Sequence, residues 1–314
     1  MAVNFTTLKK PFSRIKTDYY RRRLIRFEHF LLTLASEPNH MVFVSLYLAV
    51  GDNVLLFSLL DQYARKNPTA IIDVFLFAKN LERYKALYPV LSKVRLHIQK
   101  ESITSWVYRW ERQWVQFESA HHDRVFSNHW DIQNHSDTVI GLAKKHLGLS
   151  KDPLGGPAIA KPSSFSLSSF GISDPSQAIL LNASSFSTQS ESVKKTLEAC
   201  AQSLSNQGFH VFMNVVGDES PLPFTQPLRC SFEEFYLISL QTKCLISLRS
   251  GLLDFVASSS CPIVCLYDEK PEHRFLYIDM PLSMWQRSAP TLDLLNGSDS
   301  LTQIEAFVSE LSSR

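Results

Sequence analysis

Residues 245–267, LISLRSGLLDFVASSSCPIVCLY, constrain the fold more than any other stretch, because they read as strand, glycine turn, helix and second strand. Cys244–Leu248 is apolar and short enough for a buried strand, Arg249-Ser250-Gly251 breaks it, and residues 252–258 carry apolar side chains at helical spacing. Pro262 stops that helix, and Ile263–Tyr267 is a second buried strand. This β-α-β order builds a parallel sheet. In such a sheet the turn after the first strand lies at the carboxyl edge, where ligands bind and the following helix points its first N–H groups outward. A hydroxyl at Ser250, an approachable backbone at Gly251 and a cation at Arg249 suit a phosphate, which points to a nucleotide-diphosphate ligand. The same residues serve a purely local role equally well, with Ser250 capping the helix and Gly251 turning the chain.

A chain of 314 residues, 45% hydrophobic and 20% charged, is sized for two ordinary soluble domains. A formal net charge of +2 makes no global case for nucleic acid. The cysteines lie far apart except Cys261 and Cys265, so buried thiols are expected rather than disulfides or a metal site. No apolar run approaches the roughly 18 residues of a membrane span, and the amino terminus lacks a signal-peptide pattern. The expected location is the cytoplasm, peripheral on the inner face of the cytoplasmic membrane.

The positive charge is concentrated at one end. Residues 9–26, KKPFSRIKTDYYRRRLIR, set Lys9, Lys10, Arg14, Lys16, Arg21, Arg22, Arg23 and Arg26 against Asp18 alone. Apolar residues recur there at helical spacing, so residues 1–36 form a basic amphipathic segment, suited to an anionic membrane surface or to a solvated helix packed on the first domain. No recognised nucleic-acid module accompanies the charge, and no nucleic-acid partner is expected.

Residues 41–50, MVFVSLYLAV, read as the first buried strand, ended by Gly51-Asp52-Asn53. A helix from Val54 and a strand at Ile71–Phe77 complete a β-α-β unit. Asp52 thus stands past the carboxyl end of the strand, either at a ligand or as a helix cap. A third strand is expected near residues 94–98. Trp106, Trp110 and Trp114 are spaced by four on a helix over residues 106–117, as core packing or as an acceptor platform. The histidine-rich residues 121–135 lack zinc-site spacing and read as a loop, with His122 and Asp123 as acceptor-side candidates. A helix follows over residues 137–149.

Residues 150–178 are dense in Pro, Gly and Ser, and the linker proper is drawn at 161–178. The first domain then spans 37–160 and the second 179–314. In the second, a strand at 179–182 precedes the small, hydroxyl-rich turn Ala183-Ser184-Ser185, then a helix over 193–207 and a strand over 209–216 ended by Gly217-Asp218-Glu219. A helix over 232–241 leads into the unit described first, and a terminal amphipathic helix over 301–311 is expected to pack back across the first domain. The fold class is therefore α/β, with two Rossmann-like domains whose parallel sheets face each other across a cleft.

This order of parts resembles the GT-B glycosyltransferases, and in detail the bacterial heptosyltransferase family that works on lipopolysaccharide. The similar blocks are VGDNVLLFSLLDQYARKNPTAIIDVF from Val50, ILLNASS from Ile179, and LISLRSGLLDFVASSSCPIVCLY from Leu245. Leu248-Arg249 stand where the family usually has Asn-Asp, Asp254 replaces its histidine, and its lysine and tryptophan near Ser187 are missing. The Arg-Ser-Gly-Leu-x-Asp variant is similar to transferases for capsules and surface polysaccharides.

The resemblance implies transfer of a sugar from a nucleotide-diphosphate-sugar donor to a hydroxyl of a bacterial glycan or glycolipid. It implies Asp52 as the base, with Gly51 and Asn53 on the acceptor side. Arg249, Ser250, Gly251 and Leu252 would hold the donor diphosphate, and Ser184, Ser185, Asp218, Glu219 and Asp254 the donor sugar or nucleotide. No metal and no cofactor are expected, since no Asp-x-Asp pair is present. The rival readings are a catalytically silent binding or assembly subunit on the same scaffold, and another enzyme such as a sugar epimerase.

Overall fold

The computed structural model describes residues 9–45, 50–77, 94–99, 111–127, 139–150, 152–156, 165–184, 190–257, 259–270 and 281–313. Its strands form two sheets in which every paired neighbour is parallel. The first sheet holds β1 (His40–Val44), β2 (Ile71–Phe77), β3 (Val94–Gln99) and β4 (Val125–Ser127) in the order β3-β2-β1-β4. The second holds β5 (Ala178–Asn182), β6 (His210–Asn214), β7 (Gln226–Leu228), β8 (Cys244–Leu248), β9 (Ile263–Tyr267) and β10 (Thr291–Leu295), ordered β10-β9-β8-β5-β6-β7.

Helices cover both faces of each sheet, which is why β1, β5, β8 and β9 are buried at every residue and read as continuous apolar runs. On one face of the first sheet, Val42, Val44, Phe75 and Val125 pack under α1 (Lys9–Ala35) and α3 (Glu111–Ala120). On the other, Met41, Phe43, Val74 and Phe126 meet α2 (Val50–Lys66) and α4 (Val139–His146). In the second lobe, α5 (Glu191–Asn206) and α8 (Ser300–Ser313) cover one face, and α6 (Phe232–Ser239) and α7 (Gly251–Val256) the other. Val54, Leu55, Leu59 and Leu60 of α2 belong to the same apolar cluster as Leu252, Leu253 and Phe255 of α7. The lobes are therefore joined by a helix-on-helix contact between the two elements that follow β1 and β8.

Several expectations are corrected. β1 ends at Val44 and α2 begins at Val50, so Gly51, Asp52 and Asn53 lie inside the first helical turn instead of in a turn before it. The short strands β4, β7 and β10 were not foreseen; three to five residues with a polar or prolyl member carry too little periodicity to stand out. The terminal helix packs on α5 and β10 of its own lobe, burying Ile304 and Val308, and not across the first domain. Within the expected linker, residues 165–178 form two 3-10 turns that bury Ile172 in the shared core. Trp114 is fully buried and stacks on Phe27, a packing role, while Trp106 and Trp110 lie outside the described residues. No disulfide forms among the five cysteines, and burial pushes the thiols of Cys200, Cys230 and Cys261 up to about 12.

Candidate functional site

In the second sheet β6 and β7 lie on one side of β5, while β8, β9 and β10 lie on the other, so the chain reverses direction of growth between β5 and β8. Ligands of open α/β sheets bind outside the carboxyl ends of strands at such a switch point. Here β5 ends on Asn182 and β6 on Asn214, both buried polar residues. Asn214 Nδ2 donates to Asn182 Oδ1 at 3.2 Å, and Asn182 Nδ2 donates to Ser247 Oγ and Ser250 Oγ, each at 3.0 Å. Beside them the Ser184 hydroxyl donates to Glu219 Oε2. Three strand ends and the turn before α7 are thus tied by one chain of side-chain hydrogen bonds, with the Ser184–Glu219 bond a separate link beside it.

Ser250 is the N-cap of α7, its Oγ accepting from Leu253 N–H at 3.3 Å. Both its lone pairs are engaged, which leaves its O–H as the donor. Helix geometry gives the N–H groups of Gly251 and Leu252 no intrahelical acceptor, so the turn offers three donors to an anion. The Leu252 side chain is 7% exposed and belongs to the core between the lobes, so only its backbone is placed for a ligand.

Arg249 departs from the role expected of it. Its side chain is buried, with Nη2 at 2.6 Å from Asp254 Oδ1 and Nη1 donating to Ser250 O at 3.1 Å. Burial works against the guanidinium charge, but the adjacent Asp254 carboxylate and its hydrogen bond outweigh this and raise its pKa further. On Asp254 burial is the larger influence and pushes its pKa up, with Arg249 opposing. The pair ties the start of α7 to its middle turn and buries both side chains, where an open cation was expected beside a phosphate. Ser185 lies outside the described residues, and Asp218 is exposed in the turn beside Glu219.

At the first sheet the backbone of Gly51 and Asp52 is helical, and the Asp52 side chain lies outside the described part. Asp52 is the third residue of α2 and so not its cap, and a negative charge at that sequence position suits the helix's positive end. Asn53 is fully buried and accepts from Ser45 Oγ at 2.5 Å, which ties α2 to the end of β1. At the same edge Ser127, which ends β4, donates through N–H and Oγ to Glu118 at 2.6 and 2.8 Å, and Trp114 Nε1 donates to Ser127 Oγ at 3.2 Å. Burial raises the Glu118 pKa from 4.5 to about 7 against these hydrogen bonds. A carboxyl raised on folding contributes stability below its unfolded pKa and loses it as pH rises through the folded one. Melting temperature is therefore expected to fall between about pH 4.5 and 7, and to fall less in Glu118→Gln.

His122 and Asp123 precede β4 and so lie at the amino edge of the first sheet, opposite Asp52, about 16 Å away along a five-residue strand. They do not share a site with it. Asp123 instead lines a polar cavity of about 410 Å³ with Glu37, His40, Tyr63, Asn67 and Arg124. Next to the cavity is a buried cluster that the sequence reading passed over: Asp73 on β2 lies 2.6 Å from His97 Nε2 and 3.5 Å from His40 Nδ1. Its one signal was an aspartate inside the apolar run IIDVFLF. Asn182 and Asn214 had a clearer one, since each is the polar last residue of a buried strand. Among the described residues no group of three or more His, Cys, Asp or Glu could hold a metal ion.

No protein-family model and no curated protein matches the chain. Solved structures do. A family 9 glycosyl transferase from Veillonella parvula superposes with a TM-score of 0.56 at 14% identity, covering 87% of this chain and 97% of that one. The Escherichia coli heptosyltransferase WaaC with ADP-2-deoxy-2-fluoro heptose gives 0.54 at 11%, covering 86% and 99%. The iron-containing dodecameric glycosyltransferase TibC of enterotoxigenic Escherichia coli gives 0.55 at 10%, covering 88% and 77%. At these identities the likeness is one of fold: the chain has the two-domain GT-B architecture.

Proposed function

We propose that the chain is a glycosyltransferase that moves a sugar from a nucleotide-diphosphate-sugar donor to a hydroxyl of a bacterial surface glycan, of lipopolysaccharide or capsule. The observation that carries this is the hydrogen-bonded chain Asn214–Asn182–Ser250 at the β5/β8 switch point. It fixes the turn whose Ser250 hydroxyl and Gly251 and Leu252 N–H groups would receive the diphosphate. Solved structures of the same fold support the reading; one of them contains ADP-2-deoxy-2-fluoro heptose.

In this mechanism the donor diphosphate spans the switch point, and charge developing on the departing phosphates is stabilised by donors that need no rearrangement during reaction. Ser184 and Glu219 meet the ribose or sugar beside it. Asp52, in the first turn of α2, accepts the proton of the acceptor hydroxyl as that oxygen attacks the anomeric carbon. Arg249 acts one step removed: its ion pair with Asp254 holds α7, and hence the donor turn, in place.

A panel of nucleotide-diphosphate sugars, incubated with surface-glycan acceptors, tests the reading through release of nucleoside diphosphate. One donor is expected to be consumed with acceptor-dependent release. Binding of a nucleotide without any consumption would point to the silent-subunit alternative, and interconversion of the sugar without release to an epimerase.

A further inference from the structure

We infer that α1 is a docking element for an anionic bilayer surface. Its described buried side chains, Leu24, Phe27, Leu31 and Ala35, face the first sheet. The side turned to solvent exposes Tyr19, Arg22, Ile25, Arg26, His29 and Phe30. Tyr19, Ile25 and Phe30 are 50%, 45% and 44% exposed, among the most exposed large apolar side chains described. Interleaved with guanidinium groups, they match a surface that offers phosphates above an apolar layer. The guanidiniums pair with headgroup phosphates, while the aromatic and aliphatic side chains enter the acyl boundary. A nucleic-acid backbone supplies phosphates but no layer that would receive Ile25 and Phe30.

Two further observations point the same way. The first turns of α1 hold Lys9 and Lys10, with no acidic residue in the first turn to offset the helix's positive end. Direction is the second. α1 packs on β1, and only residues 36–39 separate them, so the helix runs back along the strand. Residues 24–35 rise about 16 Å, close to the length of β1. Residues 9–23 therefore continue past the carboxyl edge of the first sheet, the edge that Asp52 follows. Docking on this outer face lays the side of the first sheet that α1 covers along the bilayer, with the carboxyl edge beside it. Among the described residues no helix is long and apolar enough to cross a membrane, so attachment through α1 is peripheral. The docking surface stands on these observations whether or not the chain transfers a sugar.

Sedimentation of the full chain with vesicles tests it, using phosphatidylcholine alone and phosphatidylcholine with about 30% phosphatidylglycerol at about 0.1 M salt. Binding to the acidic vesicles is expected to be at least about tenfold tighter, to weaken at about 0.5 M salt, and to fall about tenfold or more in Arg22→Glu/Arg26→Glu. Both positions are exposed, so an unchanged circular-dichroism melt identifies the loss as one of surface charge. Equal binding to neutral and acidic vesicles, or undiminished binding by the charge-reversed variant, overturns the inference. So does binding to a short DNA duplex with no binding to the acidic vesicles, which would make the face a nucleic-acid surface.

Discussion

Arg249→Met is expected to lower the unfolding free energy by about 3–5 kcal/mol, because it leaves the Asp254 carboxylate buried without its partner. The double variant Arg249→Met/Asp254→Leu is expected to recover most of that loss, since an apolar pair of similar volume avoids the desolvation of two charges. The contrast separates two roles that the sequence alone leaves merged. A cation that gripped the donor diphosphate would be exposed to the ligand; its loss would weaken nucleotide binding and leave the urea midpoint nearly unchanged. A cation that holds α7 would shift the midpoint first, and the double variant would restore both stability and nucleotide affinity. The 2.6 Å contact inside the lobe predicts the second pattern.

Asp52→Asn is expected to reduce kcat by about 10²–10⁴ while leaving donor affinity unchanged. The substitution keeps the shape of the side chain and removes the proton acceptor. Its effect on stability should be small, about 0.3–1 kcal/mol, from a lost charge near the positive end of α2. Steady-state kinetics on the donor identified by nucleotide release gives the answer. Normal turnover by this variant would make Asp52 only a partner of the helix dipole and would remove the base from the mechanism.

The parts of the fold legible in the sequence were those with strong periodicity. Continuous apolar runs gave β1, β2, β5, β6, β8 and β9, and the switch between period two and helical spacing gave the helices between them. Short edge strands such as Gln226–Leu228 were invisible because a three-residue strand containing proline shows no period. The site was half legible. Ser250 and Gly251 stood out because a hydroxyl and a glycine after a buried strand mark the carboxyl edge of a parallel sheet. Asn182 did not, because its meaning depends on β8 lying next to β5, a neighbour 65 residues away in the chain. Arg249 is buried and not open at the turn for a related reason. Composition reports a charge but not its direction, and Asp254, one helical turn onward, supplies the partner that turns it inward. His122 and Asp123 were assigned to the acceptor side on chemistry alone; β4, only three residues long, decides that they sit at the opposite edge.

A crystal structure with a nucleoside diphosphate bound is the most direct test of where the donor sits. The two phosphates are expected outside the carboxyl ends of β5 and β8, within hydrogen-bonding distance of the Gly251 and Leu252 N–H groups and the Ser250 hydroxyl. A nucleotide seated instead in the cavity lined by His40, Asn67 and Asp123 at the amino edge of the first sheet would contradict the assignment.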